Sequence, residues 1–338
     1  MRSWLCKGCS LVILGAYLAG TGTASGADRI GTRPGSGGEA DEITIRVGLL
    51  DIVDIDNHAQ LFTVDLFVLV QWRDRRLAAD DDEPGQFRTY ALGDIWSPRL
   101  AVINDRGLDR LLPDVATVDR QGNVVLRQRL AGPLAVELDL HQFPFDVQRL
   151  PIEIVSYQYS PEELVFSAES EMISNLDMLG GNGWTYHAVE PEISVYRLSD
   201  RGPGSSQLTF AVMAKREAGY YVLTLALPMT LILFLAWMVH WLPPDIIPAR
   251  MGMASATVFS LIAFGVSVRL TLPEIAYLTA ADRFVLYSTL LVLASLVVTV
   301  TSTIWVNSER RDAALRLTRR ARIAFPFLYI IVLLTLAV

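Results

Sequence analysis

Residues 215–242 read KREAGYYVLTLALPMTLILFLAWMVHWL, and the chain changes character inside them. Lys215, Arg216 and Glu217 close a region of short alternating runs. From Tyr220 to Leu242 no Asp, Glu, Lys or Arg occurs. As a helix that run is long enough to cross the ~30 Å hydrocarbon core of a bilayer.

Toward the C-terminus the texture repeats. Residues 251–270, 284–306 and 323–338 are apolar; the first two are long enough to span, and the third stops at the chain end. We therefore expect a membrane domain over 216–338 with helices at about 220–242, 248–270, 283–306 and 321–338, and a short loop at 307–320. Residues 307–322 carry Arg310, Arg311, Arg316, Arg319, Arg320 and Arg322 against Glu309 and Asp312. The connection 271–282 has no Lys or Arg. The positive-inside rule makes the arginine loop cytoplasmic, which places everything before Tyr220, and the C-terminus, outside.

Toward the N-terminus, residues 43–215 hold short alternating segments: 43–47, 61–70, 124–129, 136–140, 152–154, 193–197 and 207–213. Turn signals separate them, among them Asp56-Asn57, Pro84-Gly85, Gly132-Pro133 and the glycines of 180–183 and 202–204. Many short strands with regular punctuation predict an extracytoplasmic all-β, immunoglobulin-like sandwich. Residues 28–42 read as a Gly-rich, flexible start. Residues 1–27 read as a secretory signal, with Arg2 and Lys7, an apolar run at 11–19 and the small residues Ala24, Ser25, Gly26 and Ala27. Both cysteines, Cys6 and Cys9, fall in that segment, so no disulfide is expected in the mature chain.

Composition agrees with a mixed chain. Half of the residues (51%) are apolar and mean hydropathy is +0.34, too apolar for an ordinary soluble enzyme, while 19% charged is too many for an all-membrane protein. Between Asp28 and Lys215 there are 17 basic and 30 acidic residues, a net of −13. From Arg216 onward there are 10 basic and 6 acidic, a net of +4. An acidic outer domain argues against nucleic acid as a partner, because binding it needs a basic surface. The histidines, His58, His141, His187 and His240, are scattered. No metal-ligand spacing, nucleophile elbow or phosphate loop occurs. No enzyme, metal or cofactor is expected.

The second apolar run differs from the others. It holds Gly252, Ser255, Thr257, Ser260, Gly265 and Ser267, with Arg250 and Arg269 at its ends. From Gly252, steps of four and three reach Ala256, Phe259, Ala263, Val266 and Leu270, one face of a helix. Small residues in a membrane helix suit either close packing or the lining of a pore.

Four segments resemble the Cys-loop receptor superfamily and its bacterial members. Residues 139–148, DLHQFPFDVQ, look like its signature loop. Trp72-Arg73-Asp74-Arg75-Arg76-Leu77, Ile95-Trp96-Ser97-Pro98 and Arg322-Ile323-Ala324-Phe325-Pro326 match further motifs, the last at the start of the family's final membrane helix. Pro228, Leu272-Pro273 and Tyr277 also match. Val136 and Leu150 stand where animal receptors have the two cysteines.

The resemblance implies a homopentameric ligand-gated channel in a bacterial inner membrane, touching membrane lipid and conducting inorganic ions. It implies a ligand site between subunits at Phe67, Ile103, Tyr157 and Tyr196. Aromatic faces there would suit an amine, but Ile103 leaves the box incomplete. It implies a pore lined by Pro248, Gly252, Ala256, Phe259, Ala263, Val266 and Leu270. Pro248-Ala249-Arg250, with Arg269, is similar to anion-selective receptors, and a ring of arginines would attract anions. The net −13 of the outer domain, and an Arg250 turned away from the pore, would favour cations. Coupling between the domains is implied for Asp56, Pro144, Phe145, Asp146, Arg216 and Pro273, with Arg216 a candidate partner for Asp146. Protons, amines and divalent cations all remain open as agonists.

Overall fold

Alternate residues are buried along much of the strands at Asp41–Asp56 (β1) and Leu61–Arg73 (β2), and this period-two pattern defines the inner face of a sandwich. Among the described residues ten strands follow: Phe87–Ala91 (β3), Leu100–Val102 (β4), Asp109–Arg110 (β5), Val115–Asp119 (β6), Asn123–Ala135 (β7), Val147–Ser156 (β8), Leu164–Phe166 (β9), Glu171–Ile173 (β10), Trp184–Tyr196 (β11) and Ser205–Arg216 (β12). The computed structural model describes residues 31–35, 38–79, 87–173, 179, 183–198, 204–269 and 275–337. The expected signal segment 1–27, with Cys6 and Cys9, lies outside them.

One sheet runs β10-β1-β2-β7-β6-β3, with β5 on β7 and β9 on β1; the other runs β11-β12-β8-β4. Their facing sides bury Ile43, Ile45, Phe62, Leu66, Leu150, Leu208 and Phe210. Trp72 and Trp96 meet edge to face at 6.1 Å, and Trp96 Nε1 donates to the Tyr159 hydroxyl at 2.8 Å. Asp74 is fully buried and accepts from the backbone, Nε and Nη2 of Arg76. The turn beneath it needs a glycine. Gly122 has φ +80° and donates no side chain; a Cβ there would lie 2.4 Å from the Asp74 carbonyl oxygen.

The expected strand at 136–140 is absent, although its alternation is real. Val136, Leu138 and Leu140 are buried while Glu137 and Asp139 are exposed. The backbone donors go to other elements rather than to a ladder. Leu138 N donates to Gln60 Oε1 (2.8 Å), Asp139 N to Gln148 Oε1 (3.0 Å) and Leu140 N to the Tyr277 hydroxyl (3.0 Å). The expected flexible start is also tied down in part: Arg33 Nη1 donates to the carbonyls of Glu39 and Glu163, and Arg76 Nη2 to that of Thr32.

Among the described residues four helices follow β12: Gly219–Trp241 (α1), Ile247–Arg269 (α2), Ala280–Asn307 (α3) and Arg311–Ala337 (α4). The first three are long and apolar enough to cross a membrane. Pro228 offers no N–H to the preceding turn, and α1 widens there into a π segment over Val222–Ala226. A capping box between Thr279 and Asp282 starts α3. The loop expected at 307–320 is much shorter, because α4 begins at Arg311. Pro326 therefore lies inside the helix rather than at its start. The arginine-rich stretch is helical because Ala314, Thr318 and Phe325, at steps of four and seven, form a buried stripe under an exposed basic face. Ser295 Oγ donates to the Ala236 carbonyl (2.9 Å), one of the interhelical bonds that hold membrane helices together.

Candidate functional site

Helix α2 divides cleanly by face. Ala254, Thr257, Leu261 and Val268 are buried against the other helices. Gly252, Ala256, Phe259, Ala263 and Val266 are exposed, Phe259 at 71%. These are the residues expected to line a pore, on a surface widened by Ser255, Ile262 and Ser267. Thr257 and Ser260 donate back to the carbonyls of Met253 and Ala256, so those hydroxyls are satisfied within the helix. Leu270 and Pro273 lie outside the described residues, as does the side chain of Arg269.

Arg250 corrects the expectation. It is fully buried, on the face opposite the exposed row. The spacing explains this, since steps of four, three and four from Arg250 reach Ala254, Thr257 and Leu261, the buried stripe. Its Nε, Nη1 and Nη2 have no hydrogen-bond partner among the described residues. The first turn of α2 thus exposes only Pro248 and Ala249 and contains no acid. Asp245, just before it, is engaged by Arg311 at 2.6 Å.

At the other end of the bundle the sandwich meets the helices. Residues 138–146 form a turn whose Phe143 and Pro144 are buried and whose Phe145 is half-exposed. The first amides of α3 dock on it: Ala280 N donates to the His141 carbonyl (3.0 Å) and Ala281 N to that of Phe143 (3.1 Å). In this way the turn satisfies donors that a helix start would otherwise leave orphaned. Tyr277, in the segment before α3, bonds Leu140 N through its hydroxyl and stacks its ring on His141.

Beneath the turn lies a buried ion pair. Arg216 donates from Nε to Asp146 Oδ1 (2.8 Å) and from Nη2 to Oδ2 (3.1 Å), and both side chains are almost completely buried. Gln148 Nε2 donates to the same carboxylate (2.6 Å), and Arg216 Nη2 also reaches Asn57 Oδ1 (3.0 Å). The guanidinium lies over the rings of Trp184 (4.1 Å), Phe143 (4.8 Å) and Tyr221 (5.7 Å). The structure therefore brings Asp146 and Arg216 together. Asp56 stays outside this cluster. Its carboxylate accepts the amides of Ala59 and His58, which hold the carboxyl below the usual carboxylate range; its neighbour Asn57 makes the contact to Arg216. Sequence reasoning missed Asn57, Gln148 and Trp184. Only the chemical need to satisfy a buried carboxylate and a buried guanidinium could have pointed to such partners.

The four residues of the expected ligand site do not meet within one chain. Tyr157, 61% exposed, and half-buried Tyr196 lie at the same end of the β11-β12-β8 sheet, with Ile103 beside β8 through its N–H to the Glu153 carbonyl. Phe67 is on β2 of the opposite sheet, paired with Gly48 and Arg129. Among the described residues no group of three His, Cys, Asp or Glu is placed to hold a metal.

Residues 29–216 match the neurotransmitter-gated ion-channel ligand binding domain, and residues 225–333 match the neurotransmitter-gated ion-channel transmembrane region. A proton-gated ion channel of Gloeobacter violaceus is 28% identical over 305 residues, covering 88% of this chain and 84% of that relative. A sandwich and a membrane bundle that match in order and in nearly full length identify the chain as a member of the neurotransmitter-gated ion-channel family, a prokaryotic pentameric ligand-gated channel subunit with an extracellular ligand-binding domain, and not an enzyme.

Proposed function

We propose that five copies of this chain surround their α2 helices to form a proton-activated pore that favours anions, set in a bacterial inner membrane with sandwich and C-terminus outside. The observation that supports anion preference is the inner mouth. Its first helical turn has no acid, exposes Pro248 and Ala249, and has its nearest carboxylate, Asp245, drawn off by Arg311. Five helix N-termini converging there present unpaired N–H groups and the positive ends of five dipoles. Arg269, at the far end of α2, remains the proposed outer ring of charge. Phe259, the largest exposed side chain of the row, forms the gate, an apolar constriction that an ion crosses only by shedding water. Protons as stimulus are taken from the relative's name. Phe67, Ile103, Tyr157 and Tyr196 would face each other between neighbouring copies, and Pro144, Phe145, Asp146, Arg216, Asp56 and Pro273 would transmit the change to α2.

Reversal potentials in a chloride gradient test the selectivity. We expect the chloride equilibrium value, and the cation value would overturn the reading. Deleting Pro248 with Ala249→Glu should move permeability toward cations. Phe259→Ser should give current without stimulus, and a silent, well-expressed variant would move the gate elsewhere. A cation-selective pore is the second reading, favoured by the net −13 of the outer domain, which concentrates cations above the pore.

A further inference from the structure

His141 occupies a position that neither selectivity nor ligand binding uses. Its ring lies parallel to that of Tyr277, with centroids 3.9 Å apart and planes within 5°. Its Nδ1 is 2.7 Å from Asp139 Oδ1, and its backbone N–H donates to the same oxygen at 3.0 Å. Its carbonyl accepts the first amide of α3, from Ala280. One side chain therefore touches a carboxylate of the sandwich and an aromatic ring of the segment that leads into α3.

The geometry suits a cation. Neutral aromatic pairs commonly meet at wider centroid separations, about 4.5–7 Å. An imidazolium, by contrast, is attracted to the face of a phenol ring, and its bond to a carboxylate becomes charge-assisted. Histidine is also the side chain whose charge ordinarily changes between pH 5 and 8. Three carboxylates on the packed elements are committed elsewhere. Asp146 is closed in its pair with Arg216, and Asp282 accepts from Thr279 N and Oγ1. Asp56 accepts from the His58 and Ala59 amides of its own turn, and Arg283 is the one basic side chain in the first turn of α3. The backbone N–H and ring of His141 hold the Asp139 carboxyl below the usual range, so the carboxylate keeps its charge in mild acid.

We propose that His141 is a proton-sensing residue of the gate machinery, whose protonation tightens the grip of the sandwich on Tyr277 and so favours the conducting state. This rests on the reading of protons as the stimulus. Both contacts strengthen when the ring carries charge, so acid favours the clasped arrangement.

The test uses the full-length channel in planar bilayers, with current measured against pH for wild type, His141→Gln and His141→Arg. The glutamine variant, which cannot charge, should need about threefold more protons for half-activation. The arginine variant, planar and permanently charged, should conduct at neutral pH. Wild-type half-activation in both variants, or a shift of His141→Gln toward neutral pH, would overturn the proposal. If wild type gives no current in acid, the stimulus reading has failed and the clasp is read by melting in detergent. Wild type should then track His141→Arg at pH 5 and His141→Gln at pH 8, and Tyr277→Leu should erase the difference. Three melting curves that run parallel across pH would remove the clasp.

Discussion

The two ends of the helix bundle each bury an arginine, and they treat it in opposite ways. At the outer end Arg216 has a carboxylate, an amide oxygen and three aromatic faces around it. At the inner end Arg250 is equally buried, yet its three donor nitrogens have no partner among the described residues. It also sits at the positive end of α2, where a second positive charge is unfavourable. A buried charge is tolerated at low cost only when it is paired and hydrogen-bonded. The outer end is therefore a rigid joint between domains, and the inner end a strained one within a single domain.

The largest effect should come from breaking the outer pair. Asp146→Ala leaves Arg216 charged and buried, which costs about 3–5 kcal/mol. Purified Asp146→Ala should melt far below wild type or fail to assemble, and the apolar pair Asp146→Leu with Arg216→Met should recover most of the loss. A wild-type melting curve for the single variant would mean that the outer joint is not held by this pair. A smaller effect, of opposite sign, is expected at the inner end. Arg250→Leu removes a charge that has no carboxylate, so stability should stay within about 1 kcal/mol of wild type or rise, and the reversal potential should not move. A steep loss would reveal a carboxylate supplied by a neighbouring copy and erase the contrast. The smallest effect concerns Asp56. Its carboxyl is held below its ordinary value by the Ala59 and His58 amides. This contribution is present above the ordinary carboxylate range and is lost as pH falls through the lowered value. Melting of Asp56→Asn should accordingly lack a slight acid-side slope that wild type shows, and identical slopes would count against it.

Much of this molecule was legible in its sequence because two solvents impose two patterns. Water on one side of each sheet writes period-two alternation into 43–215, and lipid writes long uncharged runs after Tyr220. The row from Gly252 to Val266 was legible for the same reason, since one period decides what a helix exposes. Arg250 shows where motif and period disagree: the motif suggested a charge at the pore, whereas counting from Ala254 puts it inside. The arginines before Ile323 suggested a loop because charge was read without its spacing; the stripe through Ala314 and Thr318 makes them one face of a helix. Residues 136–140 alternate as a strand does, but alternation reports burial alone and says nothing about which donor pairs with which acceptor. The partners of Arg216 come from the β1–β2 turn, the 138–146 turn, β11 and α1, and no local pattern announces such a meeting of side chains.

That segment at 136–140 bears on how such proteins can be recombined. The seam suggested by sequence lies near Glu217, and transplanting everything before it onto a foreign bundle would look conservative. Yet the backbone of Leu140 is held by Tyr277, on the far side of that seam, while Leu138 and Asp139 are held by Gln60 and Gln148 on the near side. A chimera cut at Glu217 would inherit two of these three tethers and leave the third to chance. Grafts that carry Tyr277 with the sandwich should keep their junction ordered where those without it do not. The heritable module of this chain is therefore not a contiguous length of polypeptide.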